Sequence, residues 1–473
     1  MEQSVELLSQ YKKIDEAYVD TLLQEEIKKN QKKIVVLDDD PTGVQTVHDI
    51  SVYTNWSKES IKKGLEEENN LFYILTNSRG LTAEETTKVH RDIAMRVYEV
   101  AKELGKEYLL ISRSDSTLRG HYPLETEILK DVYEEKTGEK VDGEILCPFF
   151  KEGGRYTIED VHYVKYGDRL VPANETEFAK DKTFGYTANN MKEYVEEKTK
   201  GKYKQEDVLC ISLEDIHNVA LDKIESQLIE VKNFQKIVVN AIDYVDVKVF
   251  CIALYRAMAK GKRFLFRTAA GIVKVMGGIT DQPLLRREDM IKKETKNGGI
   301  IVVGSHTDKT TKQVECLKEI KELQFIELDV TLVRDEEAFA KEVERCLALE
   351  EQLLLEGKTV CCYTTRKLMT ADTGDKEDDL RLSVKISDAV QSLVGKLKVE
   401  PSFVVAKGGI TSSDVGTKAL KVERATVMGQ IKAGIPVWQT GEESKFPEIP
   451  YVIFPGNVGE VTTLKEAVEE LMG

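Results

Sequence analysis

The stretch Lys33–Val52, KIVVLDDDPTGVQTVHDISV, carries the first decision about fold. Four apolar residues, Ile34 to Leu37, run into three consecutive carboxylates, Asp38, Asp39 and Asp40, and Pro41-Thr42-Gly43 then breaks the run. A short apolar run closed by Pro and Gly predicts a buried strand ending in a turn. In open α/β sheets ligands gather at the carboxyl ends of strands. Three adjacent carboxylates repel one another, so they do not serve stability there. A solvated turn with Asp caps is the plain alternative. The functional alternative is a site for a metal, a cationic group or several hydroxyls.

The same rhythm recurs downstream. Leu71–Thr76 predicts a strand ending in Asn77-Ser78-Arg79-Gly80, and Thr82 with Glu85 three residues later predicts a capping box opening a helix. Tyr108–Ser112 predicts a third strand, ending in RSDSTLRGHYPLE at 113–125, with a helix from near Pro123. Glu144–Pro148, Val208–Ser212, Lys236–Asn240 and Arg263–Arg267 extend the series. Strand, polar turn and helix in succession predict a parallel sheet with crossover helices. Residues 150–200 break the rhythm and read as an irregular insertion over the sheet edge, with strand-like pieces such as Thr157–Val164.

Residues 1–32 are polar with apolar residues at helical spacing, and read as an N-terminal helical extension. Residues 285–298, LRREDMIKKETKNG, are charged and poor in bulky apolar groups, so a boundary is placed near 295. The expected organisation is therefore a helical extension (1–32), a first domain (33–295) and a second (296–473). Both are α/β, with mostly parallel sheets flanked by helices and the active site in the cleft between them. The second domain opens with GIIVVG at 299–304 and alternates again: helices at 310–323, 335–349 and 380–398, strands at 324–328, 359–364 and 402–406.

The chain has 473 residues, of which 41% are hydrophobic and 32% charged, as expected of a globular protein with more than one core. Its net charge of -15 argues against a general nucleic-acid binder. Seven cysteines lack zinc spacing and suggest free thiols in a reducing, cytoplasmic setting. No apolar run approaches the roughly 20 residues that span a membrane, and the N-terminus lacks a signal-peptide core.

Three strand-to-glycine turns mark the second domain: Gly304-Ser305 leading to Thr310, Thr311 and Gln313; Gly408-Gly409-Ile410-Thr411; and Gly456-Asn457-Val458-Gly459. Backbone N–H groups and hydroxyls at helix starts hold phosphates, although Ser and Thr are also ordinary caps. Gly357-Lys358-Thr359 lacks the first glycine of a Walker A loop and reads as a turn. In the first domain the strand ends offer Asp38 to Asp40, Asn77, Arg79, Arg113, Asp115, Ser116, Thr117, Arg119 and His121. Arginines suit carboxylates, and carboxylates and Asn suit sugar hydroxyls. Surface ion pairing is the bland alternative for Arg79 and Arg119. One domain with hydroxyl-and-carboxylate chemistry and one with phosphate chemistry point to phosphoryl transfer from a nucleotide, with Mg²⁺ neutralising charge.

These motifs resemble those of the four-carbon acid sugar kinases, ATP-dependent enzymes that phosphorylate tetronate-type acids. Asp39 and Asp40 match the paired aspartates of the family's ADDxTGA motif, and Asp115 to His121 match its DSTLRGN block. Asn77-Ser78-Arg79 and Pro148 to Arg155 match its N-x-R and P-x-x-x-x-GR segments. Gly304-Ser305, Thr310 and Gln313, then Gly408 to Thr411, then Gly456 to Gly459 match its GS-x-x-x-x-T-x-x-Q, GGET and GNFG motifs. The resemblance covers about residues 33–465. It implies an N-terminal substrate domain, a C-terminal ATP domain and, weakly, a homo-oligomer. It assigns Asp39, Arg79, Asp115 and Arg119 to the sugar acid; the mechanism we expect makes Asp39 or Asp115 the catalytic base, with Asp40, Asn77 and Ser116 also binding the substrate. Ser305, Thr310, Gly408, Gly409, Ile410, Thr411 and Gly456 fall to ATP; metal ligands are left unassigned. Departures are Asp38 and Pro41 in the first motif, His121 for Asn, Ile410 for Glu and Pro455 for Ser, so a divergent branch with its own acceptor is expected.

Two rivals stand beside it. IVVLDDDPT fits the opening motif of a haloacid dehalogenase-type phosphatase, with Asp38 as nucleophile and Asp40 as acid–base. A nucleotide- or sugar-acid-sensing protein without turnover is the other, prompted by Ile410.

Overall fold

In the computed structural model, residues 2–293, 295–366, 369, 376–456 and 458–473 are described, the side chains of 376–380 excepted. The chain forms two compact units: residues 1–46 with 55–281, and residues 47–54 with 282–473.

The first unit is built on a parallel sheet. Its strands run in the order Leu209–Ile211, Gln235–Val239, Gly143–Cys147, Phe264–Thr268, Tyr108–Arg113, Lys33–Asp38 and Leu71–Leu75. Lys33–Asp38 is buried along its whole length because a parallel neighbour lies on each side of it. Near-continuous apolar strands are what a sheet covered on both faces requires. The Ala83–Leu104 helix starts at the expected capping box of Thr82 and Glu85 and ends at Gly105, whose φ of 63° is the left-handed stop that glycine takes without strain.

The insertion is a small antiparallel sheet of Gln3–Ser4, Arg169–Pro172, Val161–Tyr166 and Arg155–Ile158. Its core includes Val164, Phe178, Tyr186 and Tyr194, packed with Leu118 and Tyr122. The insertion thus rests on the loop after the Tyr108–Arg113 strand.

The second unit has a mixed sheet. Gln324–Leu328, Val360–Thr364, Ile300–Val303, Val404–Lys407 and Pro450–Phe454 are parallel. Ile435–Thr440, Arg424–Lys432 and Ile50–Tyr53 continue it antiparallel. Ile301, Val303, Val405, Val437, Val452, Phe454, Leu464 and Val468 belong to its core. Among the described residues no helix is long and apolar enough to cross a membrane. All seven cysteines are free thiols.

Candidate functional site

In the first unit, three adjacent strands of the parallel sheet deliver their polar ends together. Lys33–Asp38 delivers Asp38, Asp39 and Asp40; Leu71–Leu75 leads to Asn77 and Arg79; Tyr108–Arg113 leads to Asp115 and Arg119. Backbone bonds lock the turns in register: the Asp39 N–H donates to the Arg113 carbonyl at 3.2 Å and the Thr76 N–H to the Asp38 carbonyl at 2.8 Å.

Arg79 is the hub. Its Nε and Nη2 donate to both oxygens of Asp39 at 3.1 and 2.8 Å, and its Nη1 donates to Asp40 at 3.1 Å and lies 4.0 Å from Asp115. Arg113 donates through Nε to Asp38 Oδ1 at 2.7 Å, and its Nη2 also reaches Asp38, Asp39 and the Asp40 carbonyl. Ser114 Oγ completes Asp39 at 2.8 Å. Arg119 donates to Asp115 through Nε at 2.8 Å, and Thr117 Oγ1 donates to the same carboxylate. Gly43 is fixed by this packing, since a Cβ there would meet Arg113 and Asp38 at 2.1–2.3 Å.

The electrostatics separate the aspartates. Burial pushes Asp38 up to about 7 although Arg113 pulls against it. Burial also works against the ionised form of Asp39, but the guanidinia of Arg79 and Arg113 more than offset it and hold Asp39 below the usual carboxylate range. Asp115 is buried too, yet Arg119 and Arg79 hold it well below that range. Asp38 is 1% exposed, with its Oδ1 bonded to Arg113 and its Oδ2 enclosed without a hydrogen-bond partner. Asp39 has a side chain 2% exposed, against 11% for Asp115. Asp115 is the more open of the two.

Sequence reasoning left Arg155 unassigned, although it stands in the GR pair at the head of the insertion. Arg119 and Arg155 both stack on the Phe178 ring, at 5.0 and 5.6 Å from its centre. Arg155 Nε is buried without a hydrogen-bond partner, and burial lowers the affinity of this guanidinium for its proton. Arg267 donates from Nη2 to the Arg119 carbonyl at 2.7 Å. Five arginines thus gather with four aspartates at the strand ends, and Asp181 and Glu177 act on Arg119 and Arg155 from the insertion.

The DSTLRG loop itself is clamped from the insertion. His162 Nε2 lies 2.7 Å from the Ser116 carbonyl, Tyr186 OH donates to the Thr117 carbonyl at 3.0 Å, and Tyr194 OH donates to the Leu118 carbonyl at 2.8 Å. Leu118 sits at φ 70°, a left-handed position that a branched aliphatic residue takes only when held. His162 Nδ1 lies 2.9 Å from Thr157 Oγ1, so a neutral ring that donates to Ser116 satisfies both nitrogens. Burial pulls this imidazole down to about 4. A histidine depressed in the folded state gives stability that is whole above its unfolded value and lost as pH falls through the folded one. Acidification from about 6.5 to about 4 is therefore expected to loosen the clamp. In the His162→Gln variant that part of the pH dependence of Tm should flatten; an unchanged profile would remove His162 from the clamp.

In the second unit the glycine turns meet around Ser305 and Thr411. A Cβ on Gly304 would strike Thr411 Oγ1 at 2.3 Å, and one on Gly408 would meet Ser305 and Thr411 at 3.2 Å. Gly408 has φ 126°, and a Cβ on Gly456 would sit 3.9 Å from Ser305 Oγ. Thr310 Oγ1 donates to Ser305 Oγ at 3.0 Å, and Thr307 caps the Asp308–Leu317 helix. Gln313 Nε2 donates to the Glu460 carbonyl at 2.9 Å, fixing the third turn. Arg366 donates to the Ser305 carbonyl at 2.7 Å. Gly409 has open space at its Cβ position, and Ile410 is 73% exposed at the start of the Gly409–Asp414 helix. Asn457 lies outside the described residues. Lys407, read from sequence only as part of a strand end, is fully buried beneath these turns.

Among the described residues no group of three or more His, Cys, Asp or Glu side chains is placed to hold a metal ion. A magnesium ion arriving on a nucleotide takes its ligands chiefly from phosphates and water.

Residues 34–276 match the family model of a sugar-binding N-terminal domain, and residues 300–464 that of a nucleotide-binding C-terminal domain. No curated protein matches the chain. Among solved structures, the chain is similar in fold to a Haemophilus influenzae protein of the DUF1537 family, with a TM-score of 0.60, 18% identity, and coverage of 92% of this chain and 100% of that one. It is also similar in fold to a Salmonella typhimurium LT2 protein provisionally named a tRNA synthase, with a TM-score of 0.63, 14% identity, and coverage of 93% and 99%.

Proposed function

The chain belongs to the DUF1537 four-carbon acid sugar kinase family, and from that premise we propose that it is an ATP-dependent kinase acting on a hydroxyl of a small sugar acid. The observation that carries the reading is the gathering of arginines at the strand ends, with Arg155 half-buried and its Nε enclosed without a hydrogen-bond partner. Arg119 and Arg155, stacked on Phe178, receive the acceptor's carboxylate. Asp40, Asn77 and Ser116 face its hydroxyls. Arg79 is held by Asp39 and Asp40 and presents its remaining N–H groups to the substrate.

Asp115 is the group that orients the reacting hydroxyl and takes its proton, while Asp39 anchors Arg79. A strongly acidic carboxylate suits this work, because in a loose transition state the proton leaves late and the main demand is alignment. Ser305, Thr310, Gly408, Gly409, Thr411 and Gly456, with the backbone of Ile410, cradle the nucleotide. Mg²⁺ carried on ATP would neutralise the phosphates' charge during transfer.

The test is a coupled ADP-release assay with Mg-ATP against four- to six-carbon sugar acids. Acid-dependent ADP release is expected, and the best acceptor identifies the branch. ATP binding without release on any acid would favour the sensor, for which the exposed Ile410 speaks. Phosphate release from sugar phosphates without ATP would favour the phosphatase.

A further inference from the structure

Lys407 ends the Val404–Lys407 strand, directly before the Gly408-Gly409 turn. It is 0% exposed. Its Nζ donates to the Pro455 carbonyl at 2.6 Å and the Gly456 carbonyl at 3.1 Å, and stands 4.4 Å from the centre of the Phe454 ring. Two carbonyls and a ring face are partial charges only. A fully buried ammonium is ordinarily matched by a carboxylate, because an isolated buried charge is expensive.

No such carboxylate is present among the described residues around it. The flanking strand Ile300–Val303 pairs Val303 with Lys407 and is wholly apolar. The other flanking strand, Pro450–Phe454, pairs Phe454 with it, and its Tyr451 hydroxyl is spent on the Ser412 carbonyl. From the Asp308–Leu317 helix the charged group that acts on it is another cation, Lys309. Burial first, and Lys309 second, bring Lys407 down to about 7. The fold therefore keeps an unmatched basic nitrogen under the turn formed by Pro455 and Gly456. Above that turn lie Ser305 Oγ and the Gly408 backbone.

We propose that Lys407 is the buried counter-charge for the nucleotide's phosphate chain, and that nucleotide binding is coupled to protonation of this lysine. The inference rests on the nucleotide reading of the second unit and assigns the chemistry that gives that cradle its charge. Lys407 is a positioning residue: it stiffens the turn through two carbonyls and acts on the phosphates through space. An anion arriving above the turn supplies the missing negative charge and restores the lysine's affinity for its proton. Without nucleotide, the neutral amine is a hydrogen-bonding strut, which is affordable in an apolar setting.

Calorimetric titration of the full chain with ATP, in buffers of different ionisation enthalpy at pH 8, reads the coupling directly. The nucleotide's own phosphates, with a second pKa near about 6, are already deprotonated there. Wild type is expected to take up between about half and one proton on binding, and its affinity should weaken by up to about tenfold per pH unit above that. In Lys407→Met the uptake disappears and affinity is low at every pH. In Lys407→Arg, whose charge is permanent, uptake also disappears but affinity holds at alkaline pH. The arginine variant decides the matter if the methionine variant fails to fold. Uptake that is absent from wild type, or equal in wild type and a folded variant, overturns the proposal while leaving the kinase reading intact. Failure of wild type to bind ATP at any pH overturns both.

Discussion

Asp115→Asn is expected to lower kcat for acid-dependent ADP release by about 10²–10⁴-fold, the usual worth of a positioned proton acceptor. The amide keeps the shape and one acceptor oxygen, so Thr117 and the loop backbone retain a partner. It loses the charge that draws Arg119 and the ability to take the hydroxyl's proton. If Arg119 and Arg155 receive the carboxylate as proposed, KM should change far less than kcat. Asp39→Asn should behave differently. It weakens the hold on Arg79 and Ser114, so its effect falls on KM and thermal stability together. A normal kcat in Asp115→Asn would remove Asp115 from the reaction.

The second large effect concerns the buried base of the site. Arg113→Met removes the cation that satisfies Asp38 and braces Asp39, leaving both carboxylates without it where Arg113 is 4% and Asp38 1% exposed. Breaking one partner of a buried pair costs about 3–5 kcal/mol. For a unit of this size that corresponds to a fall in Tm on the order of 10 °C. The double variant Asp38→Leu with Arg113→Met should recover much of the loss, since an apolar pair no longer strands a charge. A single variant with unchanged Tm, measured by calorimetry, would show that the pair is not structural.

Much of this architecture could be read from local pattern. Apolar runs that end abruptly in polar turns, as at Leu37-Asp38, Leu75-Thr76 and Ser112-Arg113, mark buried parallel strands because neither face needs a polar residue. The capping box at Thr82 is equally local. Three features were not legible, each for a reason of distance. The clamp on Ser116, Thr117 and Leu118 comes from side chains 46 to 76 residues further on. Within the insertion those tyrosines and His162 read only as an aromatic-rich segment. The antiparallel hairpin of Arg424–Lys432 and Ile435–Thr440 lacks a clean alternation, since its strands are buried at most positions. Lys407 follows three apolar residues and precedes two glycines, a place where a lysine usually points to water. Only the fold shows it enclosed. Of the site residues, the sequence gathered the acids and arginines of three strand ends through shared position alone. It could not rank Asp39 against Asp115, because that depends on how many donors surround each.

Ile50–Tyr53 lies early in the chain, yet its partner in the second unit's sheet is Arg424–Lys432, and Arg424 donates to Ser51 across 373 residues. On the ribosome, where synthesis runs at about 5–20 residues per second, this strand emerges tens of seconds before the segment it pairs with. A nascent chain therefore carries an exposed strand edge through most of its own translation, the kind of edge that invites association with other chains. It follows that truncation at the junction near residue 281 leaves Ile50–Tyr53 without its Arg424–Lys432 partner.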